Sequence, residues 1–84
     1  MSVRQRPVMK KGEAELRHEI GLRLTRAMDE AGMDRIELSH STGFTEDRIE
    51  GWELGIGPLY PDELVALCHF LGVTPKYLSG LAAN

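Results

Sequence analysis

The sequence predicts an all-α chain in which five helices surround one core. Apolar residues recur at spacings of three and four from residue 13 onward, and no stretch alternates as a half-buried strand does. A glycine or a proline marks the end of each apolar stripe. The 84 residues suffice for one small domain and a short tail. No apolar run approaches the roughly 20 residues that cross a bilayer.

Residues 1–12, MSVRQRPVMKKG, are predicted to be a flexible basic arm, followed by a folded domain over residues 13–84. The arm has no apolar periodicity and no acid. Residues 13–84 carry six cations and thirteen acids, a net charge of −7. A basic arm on an acidic body bears on the choice of partner, although a solvated tail without a role is an open alternative. The four cations of the arm are Arg4, Arg6, Lys10 and Lys11.

The first helix is predicted to begin at Glu13 and to end before Gly32. Glu13 and Glu15 would occupy its first turn, where acids favour the positive end of the helix dipole. Gly32 has the position of a C-terminal glycine. The stripe expected to be buried consists of Leu16, Ile20, Leu24, Ala27, Met28 and Ala31.

The second helix is short. Asp34 and Glu37 have capping-box spacing, with Asp in place of Ser or Thr. Ile36 and Leu38 are expected to face inward, and Gly43 ends the helix after about eight residues.

The third helix lies in the stretch TEDRIEGWELG. Thr45 is a plausible N-cap, Ile49 and Trp52 form the apolar side, and Gly55 closes the helix. Four acids stand against one cation, Arg48.

The fourth helix begins at Pro61 and ends at Gly72, and TPKYLSG predicts a short fifth helix capped by Thr74. The fourth helix carries an apolar stripe of Leu64, Leu67, Cys68 and Leu71.

A short helix, a glycine turn and a second helix of similar length are typical of a helix-turn-helix. The segment IGLRLTRAMDEAGMDRIELSHSTGFTEDRIEGWELG resembles the Cro/CI (XRE-like) family of phage and bacterial transcriptional regulators, and PDELVALCHFLGVTPKYLSG resembles that family's fourth and fifth helices. The resemblance covers about residues 20–80 and implies a compact five-helix bundle of the repressor-like type. It also implies a sequence-specific regulator that binds double-stranded DNA as a homodimer, with its third helix in the major groove.

The resemblance places candidate DNA contacts along the second and third helices. Thr45 falls where relatives often touch phosphate, and Arg35 falls where they often carry a Gln near the first bases. Base-reading positions correspond to Glu46, Asp47 and Gly51, with Arg48 beside them. The arm cations Arg4, Arg6, Lys10 and Lys11 would meet phosphates or the minor groove.

This sequence departs from the family pattern because acids occupy base-reading positions of the third helix. A carboxylate can accept a hydrogen bond from the cytosine amino group, so Glu46 or Asp47 could read a base. Alternatively, both acids only stabilise the N-terminus of the third helix. Met28 falls where many relatives have an Arg that pairs with the Glu of Trp-Glu, so Glu53 is expected to pair with Arg23 or Arg48, or to stay exposed.

The acidic third helix leaves a second function open, that of a protein-interaction module such as an antirepressor, a DNA mimic or an assembly factor. An enzyme is not expected, because the three histidines show no metal-ligand spacing and no nucleophile has a base at motif distance. Neither a metal nor a cofactor is expected. The single cysteine, Cys68, fits a reducing compartment, so a cytoplasmic protein is expected. DNA binding would make it nucleoid-associated. A homodimer interface is predicted at Leu59, Tyr60, Tyr77, Leu78 and Leu81, with the open alternative that Tyr77 and Leu78 only close the core of one copy.

Overall fold

The computed structural model describes residues 11–80, with side chains from residue 14 onward, and five α-helices make up this part of the chain. The all-α prediction is confirmed, and no strand occurs within the described range. The predicted arm residues Arg4, Arg6 and Lys10 lie outside it, as does Leu81. The helices are α1 Lys11–Ala31, α2 Arg35–Thr42, α3 Glu46–Leu54, α4 Pro61–Leu71 and α5 Pro75–Ser79. Because α1 begins at Lys11, the last two residues assigned to the arm are helical.

The core lies between α1 and the other four helices. All five contribute to it, and α1 packs against α3, α4 and α5. Burial of these side chains is the main stabilising term for so small a domain. The buried residues are Leu24, Ala27, Met28, Leu38, Ile49, Trp52, Leu67, Cys68, Leu71 and Leu78.

The helix ends follow the local signals in the sequence. In the capping box of α2, the Glu37 backbone N–H donates to the Asp34 carboxylate at 2.8 Å, and the Asp34 N–H donates to the Glu37 carboxylate at 2.9 Å. These bonds satisfy two of the backbone donors that a helix start leaves free. A glycine with positive φ follows every helix: Gly32, Gly43, Gly55, Gly72 and Gly80.

Some burial predictions were wrong because a helical stripe does not show how far its neighbours reach. Ile36 is 57% exposed, since the short α2 buries only Leu38. Leu16 is 45% exposed and Ala31 is also exposed, so only the middle of the α1 stripe meets the core. Leu78 was predicted at a dimer surface, yet it is fully buried because it closes the core from α5.

Candidate nucleic-acid interface

The turn between α2 and α3 sets the direction in which α3 leaves the body. Gly43 adopts φ +84°, a conformation that a side chain disfavours, and its N–H donates to the Ser39 carbonyl. The Ser39 hydroxyl donates to the Phe44 carbonyl at 2.6 Å, which ties α2 to the residues that follow the turn. Thr45 then caps α3, because its hydroxyl oxygen accepts from the Arg48 N–H at 3.2 Å. The predicted N-cap is confirmed.

The inner face of α3 is anchored by two apolar side chains. Ile49 is fully buried and Trp52 is 2% exposed. The Trp52 indole N–H donates to the Pro58 carbonyl at 2.8 Å, so its polar atom is satisfied. The Phe44 ring meets the Trp52 ring edge-on at 5.3 Å between centroids. These contacts hold α3 at a fixed position on the body.

A close backbone approach between α1 and α3 completes this anchoring. A Cβ at Gly21 would lie 2.4 Å from the Glu53 carbonyl oxygen and 2.7 Å from that of Trp52. Both neighbours are backbone atoms, so no side-chain rotation could relieve the clash. Gly21 is therefore required for the distance at which α1 supports α3.

The flank of α3 that faces α2 is closed by an ion pair. The Arg35 guanidinium donates to the Glu53 carboxylate, at 2.8 Å from Nη2 and at 3.5 Å from Nε. This hydrogen bond and the charge of Glu53 raise the pKa of Arg35 above its ordinary value, with smaller contributions from Glu50 and Glu46. The prediction that Glu53 pairs with Arg23 or Arg48, or stays exposed, was therefore wrong.

The opposite flank of α3, which faces α4, carries a second ion pair. The Nη2 atom of Arg48 lies 2.9 Å from one carboxylate oxygen of Glu63 and 2.7 Å from the other. The guanidinium also lies over the Trp52 ring, 5.2 Å from its centroid. Both cations predicted near the bases are thus neutralised by acids of the same chain.

The outward face of α3 lies opposite Ile49 and Trp52. At 100° per residue, the positions farthest from the buried side are Asp47 and Leu54, with Glu50 and Gly51 next to them. Asp47 and Glu50 are exposed, as is Glu46, and Leu54 is 58% exposed. None of the three acids forms an ion pair with any residue in the described range. This surface is available to a partner and bears negative charge.

A family model of the Cro/C1-type HTH DNA-binding domain matches residues 23–80, which include α2 to α5 and more than a third of α1. The chain belongs to this family. Helix α2, the turn at Gly43 and the anchored helix α3 form the helix-turn-helix of this Cro/C1-type domain. No curated protein and no solved structure matches the chain.

The Cro/C1-type domain brings together most of the predicted contact residues that the structure describes. Thr45, Glu46, Asp47 and Gly51 share the N-terminal and outward part of α3, and Arg35 and Arg48 flank it in ion pairs. Lys11 lies in the first turn of α1.

The predicted dimer residues do not share one surface feature. Leu59 lines a cleft with Leu16 and Ile20, whereas Tyr77 lines a separate cleft with Leu22 and Arg26. Tyr60 is 54% exposed beside Leu59.

Sequence reasoning missed Glu63. As an acid in the first turn of α4 it looks like an ordinary response to the helix dipole, and nothing local indicates a partner 15 residues away. Its carboxylate accepts from the Tyr60 N–H at 3.0 Å as well as from Arg48.

The remaining chemistry of the described residues is sparse. No group of three His, Cys, Asp or Glu side chains between residues 11 and 80 could hold a metal ion. Burial raises the pKa of the Cys68 thiol, which disfavours the reactive thiolate. No helix in the described part of the chain is long and apolar enough to cross a membrane.

Proposed function

We propose that this protein is a sequence-specific regulator of transcription that binds double-stranded DNA as a homodimer and inserts α3 into the major groove. The observation that carries the proposal is the family match over residues 23–80. The packing of α3 against the body supports the proposal. Ile49 and Trp52 hold one face of the helix, and the opposite face makes no ion pair within the described residues. A reading helix needs this combination, since base edges are contacted by side chains that the body leaves free.

Attraction to phosphate is assigned to the basic arm. The folded part carries a strong excess of acids, and Arg35 and Arg48 are already paired. Arg4, Arg6, Lys10 and Lys11 are therefore the cations proposed to displace counterions from the DNA backbone. Each phosphate neutralised contributes about 0.9 to the slope of log affinity against log salt.

Phosphate contact is also proposed at the start of α3. Thr45 caps that helix, where backbone N–H groups and the helix dipole favour an anion. Arg35 is proposed to contact DNA near the first bases of the site, and this contact would replace its ion pair with Glu53.

Base reading is assigned to the outward acids and to Gly51. A carboxylate of Asp47 or Glu46 can accept from the amino group that cytosine presents in the major groove. The same acids stabilise the N-terminus of α3, and the two roles are compatible. Gly51 has no side chain, so the helix axis can approach the groove floor closely at that position.

Dimerisation is proposed to set the spacing of the DNA site. Two copies related by a two-fold axis would read two half-sites about 34–36 Å apart, one turn of DNA. Leu59, Tyr60, Tyr77 and Leu81 remain candidates for the contact between copies. Leu78 is withdrawn because it is buried within one copy.

The test is selection of binding sites from a random duplex library by the full chain at about 0.1 M salt, followed by sequencing of the retained DNA. The proposal expects enrichment of an inverted repeat with half-sites one turn apart. A variant with Gln at residues 4, 6, 10 and 11 should enrich the same sequence with lower affinity and a shallower salt dependence. A folded parent protein that enriches no sequence would overturn the proposal and favour a protein partner for the acidic face of α3.

A further inference from the structure

Arg48 is the one cation of α3, and the structure shows it turned toward α4. Its guanidinium contacts both oxygens of the Glu63 carboxylate and lies over the Trp52 ring. The Glu63 side chain is only 13% exposed, while that of Arg48 is 42% exposed. Partial burial of the carboxylate strengthens the pair relative to a freely solvated one.

Glu63 is itself held in place. Its carboxylate accepts from the Tyr60 N–H at 3.0 Å, and it belongs to the first turn of α4. A fixed carboxylate loses little conformational entropy when it binds a guanidinium. Arg48 is therefore held against the body by a preformed acceptor and by the aromatic ring, while the outward face of α3 keeps only its acids.

We infer that Glu63 is a positioning residue for DNA binding: it restrains Arg48 on the body and thereby limits the affinity of α3 for DNA. This inference rests on the proposed function. A DNA phosphate beside α3 must compete with the Glu63 carboxylate for the same guanidinium. The binding strength of the domain is thus set partly by a residue of α4, outside the helix-turn-helix.

Asp62 provides a matched comparison for this inference. It precedes Glu63 in the first turn of α4 and carries the same charge. The Asp62 side chain is exposed and makes no hydrogen bond or ion pair with a residue in the described range. Neutralising Asp62 therefore removes one negative charge from the first turn of α4 without releasing Arg48, whereas neutralising Glu63 removes a charge from the same turn and also releases Arg48.

The experiment measures affinity for the selected DNA site at several salt concentrations with the parent chain, Glu63→Gln and Asp62→Asn. Gln keeps an oxygen that can accept from the Tyr60 N–H, and a thermal melt checks the fold of each variant. Glu63→Gln should bind roughly tenfold more tightly, the value of one charge-assisted hydrogen bond, with a slope steeper by about 0.9. Asp62→Asn should gain no more than about threefold and keep the parental slope.

Arg48→Gln in both backgrounds shows whether the gain acts through Arg48. In the parent this change should lower DNA affinity by less than it does in the Glu63→Gln background, because the guanidinium is held on the body. In the Glu63→Gln background it should abolish the gain in affinity and restore the parental slope.

A parent that selects a DNA site while Glu63→Gln matches Asp62→Asn would overturn the inference and leave the proposed function standing. A gain that persists without Arg48 would also overturn it. If neither the parent nor Glu63→Gln binds DNA, both the inference and the proposed function fail.

Discussion

The inner and outward faces of α3 differ in burial, in charge and in the contacts of their side chains. The inner face has two large buried side chains, a satisfied indole N–H and a ring contact with Phe44. The outward face has exposed acids, a glycine and an exposed Leu54. Residues that hold the helix are therefore separate from those free to meet a partner. Substitutions on the two faces should affect different measurements, stability for one and DNA recognition for the other.

The largest expected effect is on the inner face. Trp52→Ala removes a buried ring and its hydrogen bond to Pro58, and should lower the free energy of unfolding by about 3–5 kcal/mol. Leu54→Ala, two residues further on the outward face, should change it by no more than about 0.5 kcal/mol. Urea unfolding of both variants measures the difference. Equal losses would remove the distinction between the faces.

Two glycines give the next comparison. Gly21→Ala places a methyl group against backbone carbonyls of α3 and should cost about 1–3 kcal/mol through displacement of α1 from α3. Gly51 lies on the outward face, and the atom nearest to an added Cβ there is 3.9 Å away, in the Ile56 side chain. Gly51→Ala should leave stability unchanged or raise it by about 0.5–1 kcal/mol, because Ala favours a helix over Gly. Thermal melts of the two variants measure this difference in stability. A destabilised Gly51→Ala variant would contradict the prediction.

Local features of the fold could be predicted from the sequence. Caps and glycine stops depend on residues a few positions apart, so the Asp34–Glu37 box, the Thr45 cap and the turn at Gly43 were all predictable. Burial could be predicted only in part. The spacing of Ile36 fits a buried face, but only the tertiary arrangement shows that α2 presents a single row to the core.

The charges around the candidate interface could not be predicted in the same way. The Arg35–Glu53 pair spans 18 residues, and the Arg48–Glu63 pair spans 15. Such pairs depend on how α2, α3 and α4 are packed, which a single sequence does not encode locally. The family resemblance predicts which positions would contact DNA, but it could not show that the two flanking cations were already engaged.

A smaller effect is expected at the N-terminal cap of α3. Thr45→Ala removes the bond from the Arg48 N–H to the Thr45 hydroxyl and should cost about 1 kcal/mol. Thr45→Ser keeps the acceptor oxygen and should retain most of the stability. Chemical unfolding of the two variants tests the cap. Equal stability of the Ala and Ser variants would show that the hydroxyl contributes nothing to it.

The most direct test of the account is selection of DNA sites by Asp47→Asn beside the parent chain. Asp47 is exposed on the outward face, so the change should leave stability within about 0.5 kcal/mol. A carboxylate accepts from cytosine, whereas an amide pairs with adenine. The account predicts that the preference at one base pair of each half-site shifts from cytosine toward adenine. Identical selected sites and equal affinities would contradict the claim that Asp47, on the outward face of α3, reads a base.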